Sequence, residues 1–539
     1  MTWRSASLTM RPNRMTFASL IKTATGKSWL VFSLVFAWEV ALLVFTAQPV
    51  PANDSFFYDG PVVNYLLNGR YANPSLALVL PISGTEVFSA YPPLYQCALF
   101  FWMSAFGTAA MSAMVFHLVL FGLYLLLLLA ILRRLGVPAW CINVAGVFLL
   151  ILTFHDRPDS LAHVLGMLAV YAWVRSSRFL AVRENTAPAS WRWLTAGSVV
   201  LCLCTSLQIG LVYFFLLWVG VSAGTVLRGE PFPLAPMAVV TLVPAALVAL
   251  VFFGFPHLWA GFLEHARLTP SFTGLRVPTV GDLLKIGRTV PGVLAAALLL
   301  LWSVATGKRF FPDTAGRYWI VAAVGALAAV GVVAACLFFW AANMVSIAAY
   351  LQPLLVGCFL AGMGAVVTER SRVQRLAALF LALAALGSIR AVGMTTWGVA
   401  CAADVSRAAA LARVRAELET VPRGSIVAAS SAFLYEAARH KEIVWIHSDW
   451  PGKTESGQPA PEWQALLALK PAKLILTQFD YYRHYDSALA RLKAHPELVE
   501  FRVVNTARVP APDSIRSLQR VVQHVSWAPV IVCFAWKQR

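Results

Sequence analysis

The sequence predicts a polytopic α-helical membrane protein that ends in a soluble α/β domain. Of the 539 residues, 59% are hydrophobic and 13% are charged. Apolar runs of about twenty residues, enough to cross a bilayer as a helix, recur along the first three quarters of the chain. After residue 402 the composition changes to that of a soluble protein. The chain therefore divides into a basic N-terminus (1–27), a transmembrane domain (28–401) and a C-terminal domain (402–539).

The net charge of +18 is explained by the membrane spans themselves. Basic loops collect on the cytoplasmic side of membrane proteins, so the charge calls for no nucleic-acid partner. The basic segment 1–27 precedes an apolar run that lacks a cleavage site, which predicts a retained signal anchor and a cytoplasmic N-terminus. The eight cysteines lie mostly inside apolar runs without Cys-x-x-Cys spacing, and we interpret them as small buried side chains.

The apolar runs predict about eleven spans. They cover residues 28–48, 111–132, 137–154, 160–174, two spans within 193–226, then 235–255, 290–305, 319–340, 350–367 and 376–396. The run 193–226 is either one long helix or a hairpin broken near Ser206, and the arginines at both of its ends favour the hairpin. Segment 94–107 is too short to cross and is predicted to lie in the membrane interface. Lys and Arg then concentrate on the cytoplasmic side, and the C-terminal domain is external.

The C-terminal domain alternates short apolar runs with helical segments. Strands are predicted at 424–429, 442–447, 473–477, 500–504 and 530–534, and helices at 432–439, 462–469 and 487–494. Such alternation favours a small α/β domain with a partly parallel sheet. It contains no nucleotide-binding glycine loop, and we interpret the domain as a lid or an acceptor-docking unit on the external loops.

The external loop 50–110 contains the first candidate catalytic residues. Asp54 and Asp59 directly follow the first span. A carboxylate at the membrane surface can act as a general base toward an acceptor hydroxyl or amine, or can bind a metal ion. Alternatively both solvate a loop, or Asp54 caps a helix. On a helix, a spacing of five positions would put the two on different faces.

A second cluster of ionisable residues lies at 155–159, which this topology places on the same side of the membrane as the loop 50–110. It reads His155-Asp156-Arg157-Pro158-Asp159. Either aspartate is a candidate for the second acidic group. The planar guanidinium of Arg157 suits a phosphodiester leaving group. The alternative is an ordinary polar turn.

Four further external cations, Arg70, Arg267, Lys285 and Arg288, are candidates for contact with an anionic lipid head group. Their alternative role is that of solvated loop charges. His117 and His163 lie within spans, and we interpret them as satisfied core residues.

The loop motifs resemble the first external loop of GT-C fold glycosyltransferases. They are Asp54-x-x-x-Tyr58, Leu67-Asn68-Gly69-Arg70, Tyr91-Pro92-Pro93-Leu94-Tyr95 and a short apolar helix that ends at Phe106-Gly107. They are most similar to protein O-mannosyltransferase-like and aminoarabinose-transferase-like bacterial enzymes, which use polyprenyl-phosphate sugars. Arg157-Pro158-Asp159 likewise resembles the acidic motif that these enzymes carry after the third span.

The resemblance implies a GT-C-like fold and a role for each motif. Asp54 takes the position of the catalytic residue, while Tyr58, Tyr91, Tyr95 and His155 are expected to bind substrate. The family's Glu after the first Asp is Ser55 here. This departure leaves open whether Asp59 substitutes, and whether a divalent metal binds.

Together these features predict a glycosyltransferase in the bacterial inner (plasma) membrane. It would transfer a sugar from a polyprenyl-phosphate donor to a lipid, glycan or protein acceptor on the periplasmic side, with inversion. The alternatives are a lipid or polysaccharide transporter or flippase, in which the external charges form a gate, and a non-catalytic assembly or sensor protein.

Overall fold

The computed structural model describes most of the N-terminal half and parts of the C-terminal half. The described residues are 27–46, 53–77, 80–151, 158–177, 190–268, 345–366, 407–422, 424–429, 433–438, 442–445, 468–477, 498–506 and 530–536, with short pieces at 180, 279, within 317–331 and at 392–393.

Helices make up the described part of the membrane domain. They are α1 (Leu30–Thr46), α2 (Asn53–Asn68), α3 (Leu94–Phe106), α4 (Ala110–Arg134), α5 (Ala139–Val147), α6 (Asp159–Ser176), α7 (Ser190–Thr205), α8 (Leu207–Arg228), α9 (Leu234–Gly254), α10 (Pro256–Leu268) and α11 (Val345–Val366). Among the described residues, the segments long and apolar enough to cross a membrane are Ala110–Arg134, Leu207–Val226 and Leu234–Gly254. The chain is thus a polytopic helical membrane protein.

Most of the predicted spans that fall on described residues coincide with one of these helices. The span 137–154 is helical over a shorter stretch, as α5 followed by a 3-10 turn at Phe148–Ile151. The spans 290–305 and 376–396 and most of 319–340 lie outside the described residues. The number of eleven spans therefore stays a prediction.

The predicted hairpin in 193–226 is confirmed. Ser206 has extended backbone angles, φ −149° and ψ 115°, and separates α7 from α8. The two helices then pack against each other. At its other end α8 stops at Gly229, whose φ of 61° is the left-handed conformation that glycine adopts without strain.

Two glycines bring α6 and α8 into close contact. A Cβ atom on Gly166 of α6 would lie 2.2 Å from the Tyr213 ring of α8, and one on Gly220 of α8 would lie 2.2 Å from the Trp173 ring of α6. Both pairs advance along the chain in the same direction, so the helices run parallel, as expected for two spans separated by one. Small residues that admit large rings are a common way to pack helices in membranes.

We expect Gly166→Ala to destabilise the protein by about 1–3 kcal/mol, because the new methyl group must displace the buried Tyr213 ring. Gly197→Ala, on neighbouring α7, is the matched control, since a Cβ there meets no atom within 4 Å. In a helix that change is neutral or stabilising by up to about 1 kcal/mol. Thermal unfolding of both variants in detergent measures the difference, and equal unfolding temperatures would contradict this packing.

The external loop is more helical than the sequence indicates. Residues expected to form a polar loop contain α2, a 3-10 turn (Pro74–Leu76) and a π turn (Ile82–Glu86). The short apolar helix was expected and is confirmed as α3, with Tyr95 and Leu99 on its buried face and Phe101 and Phe106 exposed. Helix α10, directly after α9, was not predicted.

The C-terminal domain contains a five-stranded mixed sheet, and all five strands were predicted. After helix α12 (Arg407–Glu419), which was not predicted, come β1 (Ile426–Ala429), α13 (Leu434–Ala437), β2 (Glu442–Trp445), β3 (Lys473–Thr477), β4 (Leu498–Thr506) and β5 (Val530–Trp536). The strand order is β2-β1-β3-β5-β4, in which β1 pairs parallel with β2 and β3 while β5 pairs antiparallel with β3 and β4. The expected partly parallel sheet is therefore confirmed. The predicted helix 432–439 is the single turn α13, and the helices 462–469 and 487–494 lie largely outside the described residues.

Candidate functional site

Helix α2 is anchored where its own backbone bonding is incomplete. Pro61 lies inside the helix and has no N–H, so the carbonyl of Phe57 lacks its usual donor four residues on. The side-chain amide of Asn73 supplies a donor instead, with Nδ2 3.4 Å from the Phe57 oxygen. Gly60 makes this approach possible, because a Cβ there would lie 2.6 Å from the same amide nitrogen. The buried Asn73 thus fixes α2 at Phe57, two residues before Asp59.

Asp59 is fully buried, and tyrosines bind both of its oxygens. Tyr95 of α3 donates to Oδ1 at 2.7 Å, and Tyr435 of α13 donates to Oδ2 at 2.5 Å. A buried carboxylate is costly unless it is hydrogen-bonded, so these hydroxyls are what make its position tolerable. The carboxylate joins α2, α3 and the C-terminal domain.

The hydrogen-bond chain continues from Tyr95 into the membrane helices. Tyr95 Oη lies 3.0 Å from Nε2 of His117 on α4, and Nδ1 of His117 lies 3.4 Å from Oγ of Ser160 on α6. Because the one proton of the Tyr95 hydroxyl is used on Asp59, that hydroxyl accepts from Nε2–H, and Nδ1 then accepts from Ser160. The interpretation of His117 as a satisfied core residue is confirmed, and His117 also links the site to the membrane core.

Tyrosines from two of the sequence motifs form a wall beside Asp59. The Tyr58 ring lies edge-on to Tyr91, with centroids 4.8 Å apart, and 6.5 Å from the Tyr95 ring. Tyr91 Oη lies 3.4 Å from Oγ of Ser206, the residue between α7 and α8. The wall therefore reaches the turn between α7 and α8.

An apolar groove of about 500 Å³ begins next to Ser206, between the hairpin and α9. Its lining includes Leu203, Leu207, Leu211, Phe214, Val240 and Ala249. Many side chains on the outer face of α9 are exposed and apolar, Leu242, Leu250 and Phe253 among them. A groove with these walls suits a hydrocarbon chain.

Helix α10 adds two titratable residues that the sequence reasoning missed. The His265 ring packs 5.1 Å from Phe57, and burial lowers its pKa to about 4, so it is neutral at physiological pH. Burial raises the pKa of Glu264, an effect opposed by its hydrogen bonds from the backbone N–H groups of Ile82 and Ser83. The only sequence signal for this helix is a run of apolar residues with interspersed polar ones just after a span.

The structure brings together four of the predicted site residues, namely Asp59, Tyr58, Tyr91 and Tyr95. Asp159 is the half-buried first residue of α6, one position before Ser160. Arg70 is exposed after α2, and its carbonyl oxygen accepts from Asn64 Nδ2 at 2.9 Å.

The other predicted site residues cannot be placed in this cluster. Asp54 lies in the first turn of α2 and Arg267 in the last turn of α10, but their side chains are outside the described part. The described part also excludes four complete residues, His155, Asp156, Arg157 and Lys285. No three His, Cys, Asp or Glu side chains of the described residues form a metal-binding group. A metal at the undescribed carboxylates stays a prediction.

Comparison with solved structures finds a similarity along nearly the whole chain. The chain is similar to ArnT from Cupriavidus metallidurans, whose crystal structure was determined bound to undecaprenyl phosphate. The identity is 15% and the TM-score 0.48, over 93% of this chain and 97% of that one. No protein-family model and no curated protein matches the chain.

Asp59 gives the protein a pH-dependent stability. Burial raises the pKa of its carboxyl from 3.8 to about 7, although the hydrogen bonds from Tyr435 and Tyr95 oppose the shift. The folded state therefore holds a proton that the unfolded state releases. Stability from this group is complete below the unfolded pKa and is lost as the pH rises through the folded pKa of about 7.

We expect Asp59→Asn to remove this dependence. Between about pH 5 and pH 8 the unfolding temperature of the wild type in detergent should fall more than that of the variant. Glu419→Gln, at an exposed carboxylate of α12, should follow the wild type. The same pH dependence in wild type and Asp59→Asn would exclude Asp59 as its source.

Proposed function

We propose that this chain is an integral-membrane glycosyltransferase that moves one sugar from a polyprenyl-phosphate donor to an acceptor on the external side of a bacterial plasma membrane. The observation that carries the proposal is the junction between a polar site and an apolar groove. The carboxylate and tyrosine cluster of Asp59, Tyr58 and Tyr91 contacts Ser206, beside which the groove begins. A lipid-linked sugar needs both environments, side by side at the membrane surface.

In this proposal the groove binds the polyprenyl chain. Each methylene group moved from water into such a groove contributes about 0.8 kcal/mol, so a few isoprene units give substantial binding energy. The sugar and phosphate would then lie at the outer end of the hairpin, near Tyr91. The aromatic rings of Tyr58 and Tyr91 offer apolar faces to the sugar, and the Tyr91 hydroxyl offers a hydrogen bond.

Asp54 is the proposed general base, and Asp59 is its support. Both oxygens of Asp59 already accept tyrosine protons, and its exposure is 0%, which disfavours it as a base toward an acceptor. Asp54 begins the same helix and occupies the catalytic position of the family motif. It would take the proton of the acceptor hydroxyl or amine as the acceptor attacks the anomeric carbon.

The leaving group in this displacement is the polyprenyl phosphate. The bond between the anomeric carbon and the phosphate oxygen breaks, and its electron pair leaves with the lipid phosphate. The proposed stabilising cations are Arg157, Arg70, Arg267 and Lys285. A single displacement of this kind inverts the anomeric configuration, and it requires one base together with charge stabilisation at the phosphate.

Replacing Asp54 by Asn should lower turnover by about 10²–10⁴-fold, the usual contribution of a general base. The measurement is sugar transfer by protein reconstituted in liposomes with a panel of labelled polyprenyl-phosphate sugars. Glu419→Gln is the control for loss of a carboxylate elsewhere. Transfer at the wild-type rate in Asp54→Asn would rule out this base. Consumption of no donor, together with movement of the carrier lipid across the bilayer, would favour the transporter alternative.

The groove can be tested with two alanines of α9. Ala249 lines it and Ala246 does not, although both are exposed on the same helix. Filling the groove by Ala249→Phe should lower kcat/KM for a long-chain donor by about tenfold or more, because losing contact with only about two methylene groups, at about 0.8 kcal/mol each, costs about tenfold. Ala246→Phe should act like wild type. An equal effect of the two substitutions would argue against lipid binding in the groove.

A further inference from the structure

The C-terminal domain reaches the proposed site through one buried hydrogen bond. The bond between Tyr435 Oη and Asp59 Oδ2 joins residues 376 positions apart, and both side chains are buried. Around it, α13 contacts α2, and strand β2 lies against the 3-10 turn Pro74–Leu76 of the external loop. The expectation that this domain packs on the external loops is therefore met, and the contact includes a carboxylate of the site.

Tyr435 is held firmly on its own side of this contact. It lies in the turn α13, just after β1, where its neighbours Phe433, Leu434 and Ala437 are buried. The next residue, Glu436, forms an ion pair with Arg415 of α12, with N and O 3.7 Å apart. The position of the Tyr435 hydroxyl is thus set by the packing of the C-terminal domain.

A second ion pair ties α12 to the sheet. Lys473 of β3 lies 2.6 Å from Glu417 of α12, and both side chains are largely buried. Helix α12, strand β3 and turn α13 therefore hold one another. Asp59, which accepts a hydrogen bond from Tyr435, is therefore held in position by α12, β3 and α13 together.

On the other side, Asp59 transmits its position to the start of α2. Asp59 lies five residues after Asp54, about one and a half helical turns or 7–8 Å along the axis. A helix moves as a rigid body over that distance, so whatever holds Asp59 also holds the first turn. A displacement of about 1 Å at a reacting group can cost about 10²-fold in rate.

We propose that Tyr435 is a positioning residue, and that the C-terminal domain completes the transferase site by fixing helix α2 through Asp59. This inference rests on the proposed function, since it assumes that Asp54 is the base. Tyr95 holds the other oxygen of Asp59 from the membrane side, so the carboxylate is clamped between two domains. In this proposal Tyr435 acts on the site through its hydrogen bond to Asp59.

The first test is Tyr435→Phe in the reconstituted full-length protein, a change that removes one hydroxyl and keeps the ring. We expect kcat to fall about tenfold or more while the KM for the donor changes less than about twofold, since catalytic geometry is lost and the groove is intact. Tyr65→Phe is the matched control, because Tyr65 is exposed on the same helix α2. Wild-type kcat in Tyr435→Phe would overturn the positioning role.

The second test measures the hydrogen bond between Tyr435 and Asp59 through the stability of the protein and needs no activity assay. In a double-mutant cycle, the unfolding temperatures of Asp59→Asn, Tyr435→Phe and the double variant should be non-additive, because the residues contact each other. Removing both partners should cost less than the sum of the two single changes. An additive cycle would overturn the inference. If the cycle is coupled and the wild type consumes no sugar donor, the contact is real and the proposed function fails; a coupled cycle with wild-type kcat in Tyr435→Phe rejects the positioning role alone.

Discussion

The buried carboxylate of Asp59 is the constraint on which this part of the structure depends. An ionisable group without exposure must be fully hydrogen-bonded or neutral, and both conditions shape its surroundings. The two oxygens recruit Tyr95 and Tyr435 from elements far apart in the chain. The hydroxyl of Tyr95 donates its one proton to Asp59 and can then only accept. The His117 ring therefore presents its Nε2–H to Tyr95. One polar group therefore brings together α2, α3 and α13.

The same accounting of polar groups explains why α2 is a helix despite its sequence. Pro61 and Gly60 in its middle both oppose helix formation. The structure uses both, since the missing Pro61 donor leaves a carbonyl for Asn73 and the missing Cβ of Gly60 leaves room for it. Tertiary contacts with a segment downstream thus override the local propensity. No reading of residues 53–68 alone could supply that partner.

What the sequence does predict follows from local patterns. The length of the apolar runs predicted the described membrane helices, and the arginines at both ends of 193–226 predicted the hairpin. Short β-rich runs predicted all five strands. The tyrosines of the loop motifs proved to be neighbours. Helix α10 and residue Tyr435 were missed, because their importance arises from contacts across the fold. Tyr435 is separated from Asp59 by most of the chain, and single-sequence patterns carry no information at that range.

The location of Tyr435 nevertheless follows from a general property of parallel sheets. Strand β1 is flanked on both sides by parallel strands, β2 and β3, so the segment after it emerges at the edge where the carboxyl ends of three strands meet. Residues at that edge are held by the sheet while their side chains remain available to other parts of the molecule, which is why binding groups concentrate there. In most such folds the edge faces a ligand. Here it faces Asp59 of the membrane domain, so the sheet contributes to the proposed site by holding another element of the same chain.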